Sequence, residues 1–173
     1  MLDVWTDSGD SFLNNRREFM CTKDKGPARH VTVVVADEAK LRELEEKRYA
    51  DPDNKLPQVI GGAGASSKFG EVCFEILADG ETAGYLVERK WPTLEVFRLF
   101  IFSNFRCRDI AKKAVYKWRS RRLSKGYTHV QLEVDDESAG FWASVFPWHS
   151  FEYSGVHAEV PMESDKDGFN PPS

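Results

Sequence analysis

The stretch from Leu94 to Val115 reads LEVFRLFIFSNFRCRDIAKKAV and decides the fold. Its first part, Leu94 to Phe102, is apolar on both faces apart from Glu95 and Arg98, which predicts a central strand of a sheet. Apolar side chains then recur at helical spacing and predict an amphipathic helix over residues 108–125. The polar turn between strand and helix would direct backbone amides, and the positive end of the helix dipole, outward. Such a turn is typical of a phosphate site.

Length and charge set the broad class of the protein. The 173 residues predict a single domain with its own core, and the formal charge is -4 with a pI near 5.6. This balance excludes a protein whose whole surface is built for nucleic acid or anionic lipid. The first ten residues are acidic where a signal peptide is basic, and no run approaches the ~20 apolar residues of a membrane span. We expect a cytoplasmic protein that does not contact a membrane.

The cysteines and histidines do not predict a metal site. Cys21, Cys73 and Cys107 are odd in number and lack CxxC spacing, so we expect neither a disulfide framework nor a zinc site. The histidines in the predicted strands have no companions at the spacing that metal ligands require. A reducing compartment is therefore the expectation.

The flanking sequence predicts alternating strands and helices. Asp79-Gly80 separates two alternating segments and is the pair that a two-residue hairpin turn favours. On the helix after Asp37, a thin apolar stripe is expected to include Tyr49. The predicted order is an amino-terminal arm over 1–28, a strand over 29–36, a helix over 39–50 opened by Asp37, a long loop over 51–70, hairpin strands over 71–78 and 81–90, the central strand and helix described above, a strand over 129–134, a short aromatic helix over 138–146, one or two short strands over 151–160, and a disordered tail over 161–173.

This order, over residues 30–155, resembles the GNAT superfamily of acyl-CoA-dependent N-acyltransferases. The residues IFSNFRCRDIA, from Ile101 to Ala111, are similar to that family's acyl-CoA signature, in which a central strand is followed by R/Q-x-x-G-x-G/A. Arg106 stands at the first position of the motif, Asp109 at its first glycine and Ala111 at its last small residue. A domain of this family is expected over residues 29–160.

The resemblance implies an α/β fold with a central, mostly antiparallel sheet of about six or seven strands flanked by helices. It implies an N-acetyltransferase that uses acetyl-CoA or another acyl-CoA as co-substrate and an amine as acceptor. Backbone N–H groups near Ile101 and Phe102 would polarise the thioester carbonyl, and the turn would bind the CoA pyrophosphate. The implied cofactor-binding residues are Ile101, Phe102, Arg106, Cys107, Arg108, Asp109, Ile110 and Ala111.

Asp109 departs from the motif because it adds a Cβ and a negative charge where two phosphates would lie. One like-charge contact at ~4 Å costs on the order of 4 kcal/mol at an effective dielectric of ~20. The cost is smaller if the carboxylate caps the helix amides or pairs with Arg106 or Arg108. The sequence leaves two alternatives open, a capping Asp109 and an Asp109 that closes the CoA site.

The second departure is Phe141-Trp142, where the family has a Phe-Tyr pair whose phenol protonates the departing thiolate. An indole N–H has no useful acidity. Tyr153 or His149 are the candidate replacements, although His149 among aromatic residues also suits a packed or capping role. Cys107, flanked by two arginines, is either a reactive thiol or a small residue in a small position.

Two carboxylates are the candidate general bases, Glu95 and Glu133, on strands expected to flank the cleft. The alternative for each is an ordinary strand carboxylate that faces solvent or pairs with Arg98.

The predicted helix over 108–125 also has a basic outer face that could contact CoA phosphates or nucleic acid, or be simply solvated. Its residues are Lys112, Lys113, Lys117, Arg119, Arg121 and Arg122. The alternative function is therefore a catalytically inactive GNAT-like scaffold that binds a protein or nucleic-acid partner. The sequence predicts neither the acceptor amine nor the oligomeric state.

Overall fold

A computed structural model describes residues 26–53, 70–90, 92–149, 151 and 157–162. Most of the predicted arm and long loop, the candidate Tyr153, and the predicted tail from residue 163 onward lie outside these described residues. The predicted tail begins at 161, but Pro161 belongs to the last strand and Met162 is fully buried. The packed core therefore extends two residues past the predicted end of the domain.

The described residues form one mixed sheet of six strands with flanking helices. The strands lie in chain order, and every neighbouring pair is antiparallel except β4 and β5, which are parallel. The predicted mostly antiparallel α/β sheet is confirmed. Its elements are β1 Val31–Val35, α1 Glu38–Ala50, β2 Val72–Ala78, β3 Glu81–Arg89, β4 Glu95–Ile101, a 3-10 turn Ser103–Phe105, α2 Ile110–Leu123, β5 His129–Glu133, α3 Ala139–Val145 and β6 His157–Pro161.

The β2–β3 hairpin forms at the predicted turn. Asp79 and Gly80 adopt φ values of 52° and 89°, the left-handed conformation that such a turn needs. The Asp79 carboxylate also accepts hydrogen bonds from the amides of Arg29 and His30, at 3.0 and 2.9 Å. These bonds hold the pKa of the Asp79 carboxyl below its ordinary value, chiefly through the His30 amide. The turn therefore anchors the chain that leads into β1.

Helix α1 begins at the predicted cap, where the Asp37 side chain accepts from the Lys40 amide at 2.8 Å. Leu44 is fully buried as expected, but Tyr49 is 66% exposed, so its predicted place in the apolar stripe is wrong. Arg48 is buried instead and pairs with Glu45 at 2.7 Å. The helix packs on the sheet face that carries Glu75.

The basic face of α2 is largely engaged within the protein. Arg122 makes two bonds, of 2.6 and 2.8 Å, to the fully buried Glu88 carboxylate, which also accepts from the Trp118 indole at 2.9 Å. Arg119 is only 5% exposed, and Arg121 donates to the Val33 carbonyl. The prediction of a basic outer face is therefore wrong for two residues. Arg119 packs over the rings of Tyr116, Phe146 and Trp148, and Arg122 binds Glu88 of the sheet.

Strands β4 and β5 separate soon after they meet. Only Glu95 with Gln131 and Val96 with Leu132 are in register. On the other edge of β4, the register with β3 passes from Val96 to Arg98 and skips Phe97, which marks a bulge. From Phe97 to its end, β4 has no partner residues in β5, so the two strands border an open cleft.

Candidate active site

The turn between β4 and α2 has a backbone suited to anions. Cys107 and Asp109 adopt φ values of 61° and 56°, and α2 starts at the next residue, Ile110. The first helical bond runs from the Lys113 amide to the Asp109 carbonyl at 3.1 Å, so the amides of residues 110–112 precede it. A left-handed residue followed by a helix start makes successive N–H groups converge. The turn can therefore receive a phosphate.

Asp109 does not cap the helix. Its side chain makes no capping hydrogen bond, and it is exposed. It pairs with neither neighbouring arginine, because Arg106 contacts Asp53 and Arg108 contacts Asp79. The alternative in which Asp109 caps the helix is therefore wrong. The carboxylate is exposed at the mouth of the turn.

Arg106 and Arg108 point to different parts of the protein. The Arg106 guanidinium donates to Asp53 at 2.5 Å and to the Ile101 carbonyl at 3.0 Å. Arg108 is 9% exposed and donates to Asp79 at 2.8 Å and to the Gly26 carbonyl at 3.1 Å. Arg108 therefore fastens the turn to the hairpin, whereas Arg106 remains at the cavity beside the turn.

That cavity, of about 230 Å³, is enclosed by the turn, the start of α2 and one side of α3. Arg106 and Lys112 bring two positive charges to its wall against the single negative charge of Asp109, so the local charge favours an anion. Its lining residues are Ile101, Phe105, Arg106, Cys107, Asp109, Ile110, Ala111, Lys112, Phe141 and Ser144. Of the eight predicted cofactor-binding residues, six line this cavity; Phe102 and Arg108 do not.

The amides at the end of β4 are not equivalent. Phe102 donates its N–H to the Ala83 carbonyl of β3 at 2.9 Å, so this amide is already bonded in the sheet. Because successive amides of a strand point to opposite edges, the Ile101 N–H points toward the cleft side. Of the two predicted carbonyl-polarising amides, only that of Ile101 faces the gap between β4 and β5.

A second cavity, of about 630 Å³, lies between the end of α1, the hairpin turn and the 3-10 turn. Asp51 borders it and is 8% exposed, and its carboxylate accepts from the Ser103 amide at 2.7 Å. Together with the Asp53–Arg106 pair, this bond ties the end of α1 to the β4–α2 turn. No local pattern predicts this link, since both aspartates lie in a segment predicted as loop.

Comparisons with known proteins bear on the fold. No family model matches the chain, and no curated protein matches it. Solved structures do match it. A GNAT-family acetyltransferase from Staphylococcus aureus superposes with a TM-score of 0.54 at 12% identity, over 78% of this chain and all of that one. The chain has the GNAT fold.

Two further GNAT-fold neighbours were solved with ligands. A GNAT-family N-acetyltransferase from Escherichia coli in complex with CoA has a TM-score of 0.55 at 13% identity, over 80% of this chain and 85% of its own. An aminoglycoside acetyltransferase from an uncultured soil metagenomic sample, in complex with sisomicin, has a TM-score of 0.52 at 16% identity, over 73% and 93%. At these identities the likeness is one of fold.

Within the GNAT fold, the two candidate bases have different surroundings. Glu95 is 8% exposed and pairs with Arg89 at 3.4 Å rather than with Arg98, and Arg89 also binds Glu71 at 3.1 Å. Glu133 is exposed at the end of β5, one residue beyond the last pair with β4. Only Glu133 stands at the point where the strands separate.

His149 lies away from the turn. Its ring packs edge-on against Phe151, with ring centroids 4.9 Å apart. The preceding Trp148 donates its indole N–H to the Pro161 carbonyl at 3.0 Å, and Pro161 pairs with His129 at the start of β5. Because β4 and β5 are parallel, the start of β5 is at the opposite end of the sheet from the β4–α2 turn.

Trp142 and the two described cysteines are each held in the structure in a way that bears on their predicted roles. Trp142 is 5% exposed and packs between Phe141 and Phe146, with ring centroids 4.8 and 6.3 Å away. Cys107 is disulfide-bonded, so the expectation of no disulfide is wrong there, and of its two alternatives the reactive thiol is excluded. Cys73 is free and buried, and burial raises its pKa to about 12.

The described residues contain neither a metal-binding cluster nor a membrane-spanning helix. No group of three or more His, Cys, Asp or Glu side chains there is arranged to hold a metal ion. None of the described helices is both long and apolar enough to cross a membrane.

Proposed function

We propose that this protein is an N-acetyltransferase that uses an acyl-CoA, such as acetyl-CoA, to acylate an amine. The observation that carries the proposal is the separation of β4 from β5 after Val96 and Leu132, with the phosphate-type turn at the end of the separated strand. An anion site and an open cleft thus lie along the same strand. This combination suits a ligand with a phosphate end and a reactive end.

The dimensions favour an extended ligand. The open part of β4 runs from Phe97 to Ile101, and four residue steps of a strand span about 13 Å. The eight residues between β4 and α2, 102–109, add to this distance. In the proposed mode, the CoA pyrophosphate binds at the turn amides, and the pantetheine arm lies along the cleft edge of β4. The thioester then reaches the bulge at Phe97.

Asp109 lowers CoA affinity without closing the site. The cost of about 4 kcal/mol applies to a carboxylate held ~4 Å from a phosphate, and an exposed side chain can rotate away into water. Arg106 and Lys112, on the same cavity wall, offset its charge. We therefore expect CoA to bind, although more weakly than it would without this carboxylate.

The acyl transfer proceeds by direct attack. The neutral amine adds its lone pair to the thioester carbonyl, and a cleft-facing backbone amide of β4 beside the bulge at Phe97 stabilises the charge that develops on the carbonyl oxygen. The Ile101 amide, farther along the same edge, is left for the pantetheine arm. The C–S bond then breaks and the thiolate takes its proton from water, because Trp142 offers no acid in place of the family's phenol. The amine proton is accepted near the end of the β4–β5 ladder, where Glu133 is exposed, directly or through water.

Turnover with simple amines tests the proposal. Release of free CoA thiol from acetyl-CoA would be followed with a thiol reagent across a panel of polyamines, aminoglycosides and peptides with free amino termini. Acetyl-CoA-dependent acylation of at least one amine is expected. A chain that neither binds acetyl-CoA nor releases thiol with any of them would contradict it.

The second candidate is a catalytically inactive GNAT-fold protein that binds a partner. Trp142 in place of the phenol favours it, since one catalytic group of the family is missing. The burial of Arg119 and Arg122 speaks against nucleic acid as that partner, because Arg119 packs among aromatic rings and Arg122 binds Glu88. Binding of acetyl-CoA without turnover of any amine would favour this candidate.

A further inference from the structure

The β5–β6 ladder brings together two side chains that are far apart in the sequence. Glu133 at the end of β5 is in register with His157 at the start of β6, and both are exposed. Directly opposite residues of antiparallel strands point to the same face, with Cβ atoms about 4.5–5.5 Å apart. No hydrogen bond joins the two described side chains in this conformation. They are adjacent on one face of the sheet.

This pair borders the open end of the cleft. The last β4–β5 pair is Val96 with Leu132, so Glu133 is the first β5 residue without a partner on β4. The residue that comes next on β4 is the bulged Phe97. His157 stands one strand farther out, on the same face as Glu133. The imidazole thus lies beside the place where the strands part.

The charges around His157 come from three strands. Glu133 on β5, Glu159 two residues along β6, and Glu95 across the ladder from Gln131 share this face. Glu95 is engaged with Arg89, whereas Glu133 and Glu159 are exposed. The local field therefore attracts a cation, and a free amine at neutral pH arrives as the ammonium ion.

We propose that His157 is the catalytic base of the acyl transfer and that Glu133 stabilises the imidazolium it forms. This inference rests on the function proposed above. One imidazole nitrogen takes a proton from the ammonium group of the acceptor, which frees the nitrogen lone pair for the thioester carbon. The C–N bond forms and the C–S bond breaks with its electron pair going to sulfur. The attacking nitrogen then loses its second proton to water, the thiolate takes up a proton from water, and the imidazolium returns its proton to water.

Histidine suits this task better than the carboxylates do. An imidazole exchanges its proton nearest to neutral pH, so it is available as a base and still able to release the proton afterwards. The acceptor that this arrangement favours is a primary amine that arrives as a cation. Its positive charge would lie between the carboxylates of Glu133 and Glu159.

The test uses bromoacetyl-CoA, which needs no knowledge of the acceptor. A nucleophilic nitrogen beside the acyl group displaces bromide from the carbon next to the carbonyl and forms a stable C–N bond. Wild-type protein should be alkylated at His157, as read by peptide mass spectrometry, and excess CoA should suppress the reaction. The amount of CoA-protected label in His157→Gln should be at least about tenfold lower than in wild type, because the nucleophile is gone. His129→Gln is the matched control, since His129 is exposed on the same face at the closed end of β5.

The outcomes separate this inference from the proposed function. CoA-protected label on another residue, such as Tyr153 or Glu133, with none on His157, would overturn the assignment and leave the acyltransferase intact. Label on His157 that CoA does not suppress would mean surface alkylation and would also overturn it. Absence of CoA binding, measured by calorimetry on the same sample, would reject the proposed function itself. In His157→Gln, CoA should bind as in wild type while acyl transfer falls about 100-fold.

Discussion

Arg106 and Asp53 form an ion pair of 2.5 Å between residues 53 positions apart in the chain. Arg106 belongs to the turn that is proposed to hold CoA, and Asp53 follows the end of α1. Beside it, Asp51 accepts the Ser103 amide at 2.7 Å. The position of α1 is therefore linked directly to the shape and charge of the candidate pyrophosphate site.

The ion pair predicts that Asp53 competes with phosphate for Arg106. Asp53→Asn keeps the side-chain shape and removes the charge, so Arg106 should turn more readily to the ligand. We expect CoA affinity to rise about two- to fivefold, the scale of a partly exposed ion pair. Titration calorimetry with CoA measures this change. Glu46→Gln, an exposed carboxylate on α1, is the control; equal effects of both variants would mean that only net charge matters.

The left-handed backbone of Asp109 makes a prediction about stability. Asp109→Gly and Asp109→Ala remove the same charge, but only glycine adopts a φ of 56° without strain. The glycine variant should be more stable than the alanine variant by about 1 kcal/mol, since alanine has the Cβ clash of a left-handed residue. Urea unfolding of the two proteins, in the absence of ligand, gives the difference. Equal stabilities would contradict the left-handed conformation.

The buried Glu88–Arg122 pair predicts a large loss of stability when only one partner is removed. Glu88→Gln leaves the Arg122 guanidinium buried without a counter-charge, and about 3 kcal/mol or more of the free energy of unfolding should be lost. The exposed Glu81→Gln, at the start of the same strand, should change it by less than about 0.5 kcal/mol. If Glu88→Gln behaves like Glu81→Gln in chemical denaturation, the pair does not stabilise the packing of α2 on the sheet.

Asp79 predicts a pH-dependent contribution to stability. Its pKa is lowered in the folded protein, first by the His30 amide and also by Arg108, so folding favours the charged carboxylate. This contribution is present above the ordinary pKa of an aspartate and is lost as the pH falls through the lowered value. Asp79→Asn should therefore be less stable than wild type near neutral pH. The difference in unfolding midpoint should shrink as the solution is acidified, and a constant difference would contradict the account.

Local signals in the sequence were enough to predict most of the helices and strands. Asp79-Gly80 predicted the hairpin because the turn requires two left-handed residues, and Asp37 predicted the start of α1. The strand and helix around the turn followed from their apolar periods. These features depend on neighbouring residues alone, so a single sequence carries them.

What the sequence missed depends on register and burial between distant segments. The bulge at Phe97 follows from how β4 fits β3, and the pairing of Glu133 with His157 follows from the β5–β6 register. Helical spacing placed Arg122 on an outer face, but the charge of Glu88 beneath the helix accounts for its burial. Glu88, an acidic residue within the strand Glu81–Arg89, was a signal that a basic residue of α2 could be buried against the sheet instead of facing solvent.

The most direct test of the central claim is the affinity of acetyl-CoA for wild type, Asp109→Asn and the control Glu46→Gln, measured by titration calorimetry. The account predicts measurable binding by wild type and the control, and binding by Asp109→Asn that is about tenfold tighter, because one carboxylate near the phosphates is gone. The difference should narrow as salt is added. Absence of binding by all three proteins at millimolar acetyl-CoA would contradict the proposal that the β4–α2 turn and the β4–β5 cleft form a CoA site.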